Sequence, residues 1–283
     1  MKTILIDPYP REMKLIFTKE KLNLLKKNFN LIYAPKSNKH KFYEQHINKA
    51  EFIIGQPDLP ADLIKKASKL KAIFNVESNF MDNMDYDYCF RNNIYVLSTA
   101  PVFAQTVAEI ALGFTISLKR DIHTSHLDFI NGNEKYGLEG NLNCSLLQNN
   151  KIGFIGFGDL GKNLKPLLHP FSSDFLVFDP WLPEKLLKDQ GCKPASLKKI
   201  FKECDVIYLL ASITTKNEYM IDKKLLNTMK TNSCLLLLSR ANVLDFNDLI
   251  DVLKKGKIKV ATDVFPDEPV KKNDIIRKQK NIL

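Results

Sequence analysis

The sequence predicts an α/β protein of two Rossmann-like lobes, each with a parallel sheet, and three observations predict it. Short apolar runs alternate with amphipathic helical stretches along the 283-residue chain, the pattern of βαβ units joined in parallel sheets. An apolar strand beginning at Lys151 runs straight into a G-x-G-x-x-G turn at Gly156, Gly158 and Gly161, with a helix-forming segment behind it. An acid, Asp179, closes the next apolar run, eighteen residues after the last glycine.

Taken in order, strands are expected at 3–6, 31–34, 52–54, 72–76 and 94–97, with helices near 18–28, 40–49, 61–69 and 84–92. A long helix is expected from Gln105 to about Leu127, because Val107, Ile110, Ala111, Phe114 and Leu118 recur at helical spacing. The Asn- and Gly-rich stretch 131–150 reads as a loop. A second series follows, with strands at 151–155, 175–178, 206–210, 234–238 and 258–262. The first lobe, flavodoxin-like, is placed at 1–98. The second, a doubly wound parallel sheet, is placed at 99–283.

Composition narrows the function classes. A hydrophobic content of 45% supports ordinary buried cores. The formal charge of +10 rests on dispersed lysines with only five arginines, so no arginine-rich reading surface for nucleic acid is expected. No apolar run approaches the ~20 residues of a membrane span, and a cytoplasmic protein without membrane attachment is expected. Cys89, Cys144, Cys192, Cys204 and Cys234 show neither C-x-x-C spacing nor histidine partners, so neither a metal site nor a disulfide framework is expected.

The glycine turn has a physical reading of its own. Gly156 permits a tight exit from the strand, Gly158 keeps side chains away from an approaching pyrophosphate, and Gly161 allows close packing of helix on sheet. The free amides of the helix's first turn, at Asp159 and Leu160, face the phosphates. Asp179 accepts hydrogen bonds from ribose hydroxyls and repels a 2′-phosphate, which favours NAD over NADP. Arg240 ends a buried strand, where a guanidinium needs an anionic partner such as a substrate carboxylate. Asp263 and Glu268 flank the turn after the last strand, where either could orient a histidine or hold the nicotinamide amide. All five histidines, His40, His46, His123, His126 and His169, read as surface or packing residues.

Four blocks together resemble the D-isomer-specific 2-hydroxyacid dehydrogenases: Asn-Val-Glu-Ser-Asn-Phe-Met-Asp-Asn-Met-Asp from Asn75, Ser-Thr-Ala-Pro-Val-Phe-Ala-Gln-Thr-Val-Ala-Glu from Ser98, the glycine turn with Asp179, and Leu-Leu-Ser-Arg-Ala-Asn with Ala-Thr-Asp-Val-Phe-Pro-Asp-Glu-Pro. The resemblance covers residue 70 onward. It implies a substrate lobe into which the NAD-binding lobe is inserted, with the active cleft between the two, and reversible hydride transfer between NAD and a small 2-hydroxy acid. It implies that Arg240 grips the 2-oxo acid, that Glu268 pairs with the catalytic histidine, and that Asp263 and Thr106 line the nicotinamide end. Val76, Glu77, Ser78 and Asn79 match the loop whose amides bind the substrate carboxylate, and the long helix matches a homodimer interface. Departures are Glu77 and Asn79 in place of glycines, Leu210 where histidine is frequent, and Ala241 after the arginine. The Thr-Pro-His motif of the family is not reached before Leu283. The chain is therefore expected to be truncated just before the catalytic histidine, without the return segment of the first lobe, and impaired in turnover. The rival reading is a non-catalytic NAD-binding sensor or partner-binding protein of the same fold.

Overall fold

A computed structural model describes every residue except Asn79 and Thr215. The chain divides into two compact units, Met1–Phe103 and Ala104–Leu283. The first holds β1 (Lys2–Asp7), β2 (Phe29–Tyr33), β3 (Phe52–Gly55), β4 (Ala72–Phe74) and β5 (Tyr95–Leu97). They pair in the order β2-β1-β3-β4-β5, all parallel. Leu5, Ile53 and Ile73 face one apolar cluster and Ile4, Ile6 and Ile54 the other. A strand covered on both faces shows an unbroken apolar run, which is how these segments are legible in the sequence.

The second unit holds β6 (Ile152–Ile155), β7 (Phe175–Phe178), β8 (Lys193–Pro194), β9 (Val206–Leu209), β10 (Cys234–Leu237) and β11 (Lys259–Thr262), in the order β11-β10-β9-β6-β7-β8. All pairings are parallel. Beyond β11, Ile282 forms a further parallel bridge to Val260. On one face Phe154 stacks on Tyr208 with ring centroids 5.5 Å apart. On the other, Ile155, Leu209 and Leu237 pack among the helices that cover it. The chain runs outward from β6 to β8, then crosses to β9 and runs outward the other way. The gap between β6 and β9 is therefore the point where strand order reverses, the place at which open parallel sheets bind ligands.

The long helix differs from expectation. It runs from Ala100 to Arg120, is interrupted at Asp121, and resumes as Ile122–Ile130. Pro101 marks the earlier start, since proline is tolerated in a first helical turn. The break at Asp121 (φ 51°) is held by Lys259, whose ammonium donates to the Asp121 carboxylate and to the Leu118 and Asn143 carbonyls. Among the described residues, Ala100–Arg120 is also the one helix that by length and composition could cross a membrane, against the expectation of no such run. Gln105 and Glu109 interrupt its apolar sequence but not its average character. Its Ala104, Ala108, Ala111 and Leu118 are buried, and Thr115 shares a buried 2.6 Å hydrogen bond with Tyr208. Only one side of it is packed into the core, and Val102 and Ile110 on the remainder are exposed.

Candidate active site

The glycine turn lies at the reversal point. Gly156 adopts φ +84°, and a Cβ there would come within 2.7 Å of the Ala211 backbone just past β9. Only glycine fits both the conformation and the space. Gly158 is the opposite case: nothing lies within 4 Å of where its Cβ would be, so it faces open room at the head of the Asp159–Leu168 helix. The amides of Asp159, Leu160 and Gly161 belong to that helix's first turn and have no intrahelical acceptor. At Gly161 an added Cβ would sit 2.8 Å from the Phe157 ring. Close packing of another helix on the sheet is visible at Gly153 of β6, where a Cβ would be 2.4 Å from Ile200.

Asp179 follows β7. Its Oδ2 accepts from the Phe157 N–H at 2.8 Å and its Oδ1 from the Trp181 N–H at 3.0 Å. A carboxylate offers about four acceptor positions, so two remain for ribose hydroxyls. Asp179, Gly156 and Gly158 line one cavity of about 560 Å³, whose apolar walls include Leu210, Met220 and Trp181.

A second cavity, of about 390 Å³, gathers Arg240 and Glu268 with Ser239, Asn242 and Phe265. Ile213 lines this one while Ser212 and Thr214 line the first, so the two lie on either side of the loop after β9. Arg240 is half-buried three residues past β10 and donates to the Ser239 carbonyl at 2.7 Å. Glu268 caps its own turn by accepting from the Phe265 N–H at 2.9 Å. Asp263 directly follows β11. Its carboxyl is raised above its ordinary value by partial burial and by the charge of Glu268, with a backbone hydrogen bond and Arg240 opposing, while the residue as a whole is exposed. The structure thus brings Arg240, which follows one strand, together with Asp263 and Glu268, which flank the turn after the last strand.

Thr106 is exposed on the second turn of the Ala100–Arg120 helix. In the first unit, Val76, Glu77 and Ser78 form the bend after β4, and Asn79 lies outside the described residues. Glu77 carries a partner that sequence reading missed: Arg11 holds it in a two-pronged ion pair at 2.9 and 3.2 Å and lies over the Phe103 ring. Burial pushes the Cys204 thiol up to about 12, too high for a nucleophile at neutral pH. Among the described residues no group of three His, Cys, Asp or Glu could hold a metal ion.

Comparison with known proteins fits this geometry. Residues 112–283, more than half of the chain, match the family model of the D-isomer specific 2-hydroxyacid dehydrogenase, NAD binding domain. The chain belongs to this family. Among D-2-hydroxyacid dehydrogenase relatives, the D-3-phosphoglycerate dehydrogenase of Methanocaldococcus jannaschii is 27% identical over 221 residues, covering 76% of this chain and 41% of that protein. The match thus spans less than half of that relative's length. The glyoxylate reductase of Thermococcus litoralis is 28% identical over 236 residues, 78% of this chain and 68% of the other. The crystal structure of a phosphoglycerate oxidoreductase from Rhizobium etli superposes with a TM-score of 0.86 at 36% identity, covering 100% of this chain and 86% of that one.

The D-2-hydroxyacid dehydrogenases are NAD-dependent oxidoreductases, and NAD fits the residues present here. Open room at Gly158, free helix amides and a ribose-ready carboxylate at Asp179 coincide in one cavity. The two parallel sheets and the glycine turn follow the α/β pattern read from the sequence.

Proposed function

We propose that the protein interconverts a small 2-oxo acid and its D-2-hydroxy acid with NAD. The convergence of Arg240, Asp263 and Glu268, across the loop after β9 from the cavity of the glycine turn, carries this reading. Gly158 and the amides of Asp159 and Leu160 hold the pyrophosphate, Asp179 the adenosine ribose, and Asp263 with Thr106 the nicotinamide end. When bound, the nicotinamide supplies or accepts the hydride. Arg240 grips the acid and stabilises negative charge on its carbonyl oxygen, and Glu268 orients the proton donor. The expected result is slow oxidation of NADH that depends on an added 2-oxo acid such as glyoxylate or hydroxypyruvate and is indifferent to ammonia. Calorimetric NADH binding with no turnover on any 2-oxo acid would instead favour a nucleotide sensor.

Met1–Phe103 is assigned as the substrate domain, and Val76, Glu77, Ser78 and Asn79 as the stretch whose amides bind the acid's carboxylate. An acid at position 77 repels an anionic substrate unless it is neutralised, and the Arg11 pair supplies the neutralising charge. Arg11→Ala is expected to raise KM for the 2-oxo acid about 5- to 10-fold with little change in kcat, and adding Glu77→Gln should restore most of it. An unchanged KM in Arg11→Ala would remove the bend from the substrate's surroundings.

We also assign a homodimer to the helical face that leaves Ile122, Leu127, Phe129 and Ile130 exposed, since clustered apolar exposure marks association surfaces. A sedimentation mass of one 32.5 kDa chain would refute it. All five cysteines are free, which suits a reducing, cytoplasmic compartment.

A further inference from the structure

The chain has a single tryptophan, and Trp181 leaves 75% of its surface exposed. A large apolar ring is ordinarily buried, and this one lies on the wall of the cavity that holds Asp179 and the glycine turn. Its stem is fixed: Pro180 restricts the backbone before it, and its own N–H donates to Asp179 Oδ1 at 3.0 Å. Leu210 and Met220 supply other apolar surface in the same cavity. A carboxylate suited to ribose, with an aromatic plane two residues beyond it, is matched to a flat heterocycle carried on that ribose.

Of the polar residues on the rim, Lys216 adds a cation, while Thr214 and Asn217 are engaged with one another. Asn217 Oδ1 accepts from the Thr214 N–H and hydroxyl at 2.6 and 3.0 Å, and Asn217 Nδ2 donates to the Ser212 carbonyl at 2.7 Å. Asn217, the one side-chain amide of the lining, is thus already bonded, and the face of the Trp181 ring remains for the base. We propose that Trp181 stacks on the adenine ring and is the principal affinity determinant of the adenosine half. This inference rests on the dinucleotide reading of the cavity and adds the residue that reads the base.

Because the tryptophan is unique, its emission reports occupancy directly. ADP-ribose is expected to quench or shift it at saturation, while nicotinamide mononucleotide leaves it unchanged. Trp181→Ala should weaken ADP-ribose about 5- to 100-fold, the range for loss of one base–aromatic stack, and Trp181→Phe should recover most of that loss. Nicotinamide hypoxanthine dinucleotide should bind within about threefold of NAD, since stacking tolerates a changed base edge. The exposed position makes misfolding of either variant an unnecessary concern, and circular dichroism checks it. ADP-ribose binding by calorimetry with wild-type affinity in Trp181→Ala would overturn the stacking role and leave the NAD site standing. Absence of heat with both ADP-ribose and NADH in the unmodified protein would overturn both.

Discussion

Alanine at Gly156 is expected to cripple the fold, whereas alanine two residues later, at Gly158, should spare the fold and cost the cofactor. At Gly156 the left-handed conformation (φ +84°) costs an L-residue about 1–2 kcal/mol. The new methyl also meets the Ala211 backbone at 2.7 Å, not a side chain that could turn away. Overpacking of that kind adds about 1–3 kcal/mol. The sum is a large part of the ~5–15 kcal/mol that holds a domain folded, and Tm should fall by about 5–20 °C. At Gly158 φ is −73° and the added methyl meets nothing. The only structural loss is glycine's mild preference over alanine at a helix N-cap, no more than about 1 kcal/mol. The same methyl occupies the space through which the pyrophosphate reaches the helix amides, so NADH affinity should drop at least ~10-fold. Thermal unfolding and calorimetry separate the two effects. A Gly158→Ala protein that binds NADH normally would place the pyrophosphate elsewhere.

This contrast also shows what was legible in the chain. The roles of Gly156 and Gly158 follow from a local pattern, because a strand, a turn and a helix N-terminus are set by neighbouring residues. The strands of both sheets were visible for the same reason: runs such as Ile-Leu-Ile and Cys-Leu-Leu-Leu-Leu are buried on both faces and carry no polar interruption. What escaped is tertiary. The helix break at Asp121 depends on Lys259, 138 positions away, and the neutralisation of Glu77 depends on Arg11, 66 positions away. The two-residue β8 at Lys193–Pro194 is too short for any period to declare itself. The close contact of Gly153 with Ile200 turns on where that side chain is placed, 47 positions away. Trp181 passed unnoticed because an exposed ring and a buried one look alike in a sequence.

Removal of the Arg240 guanidinium should leave NADH binding within about threefold of normal and lower kcat/KM for a 2-oxo acid by about 10²–10³, the usual consequence of losing one charge-stabilising donor. Arg240→Lys should recover little, because an ammonium keeps the charge but not the planar fork that matches a carboxylate. Oxamate, an unreactive 2-oxo acid isostere, gives a readout independent of turnover: its heat of binding in the presence of NADH should vanish in Arg240→Ala. A second effect follows from the charges around it. Arg240 holds the Asp263 carboxyl down against burial and against Glu268, so its loss moves that group further up. Protonation then sets in at a higher pH, and if Asp263 grips the nicotinamide end, NADH affinity on acidification should begin to fall earlier than in the parent. Undiminished reduction of every 2-oxo acid by Arg240→Ala, with oxamate still bound, would exclude this guanidinium from the substrate and require another cation to hold the acid.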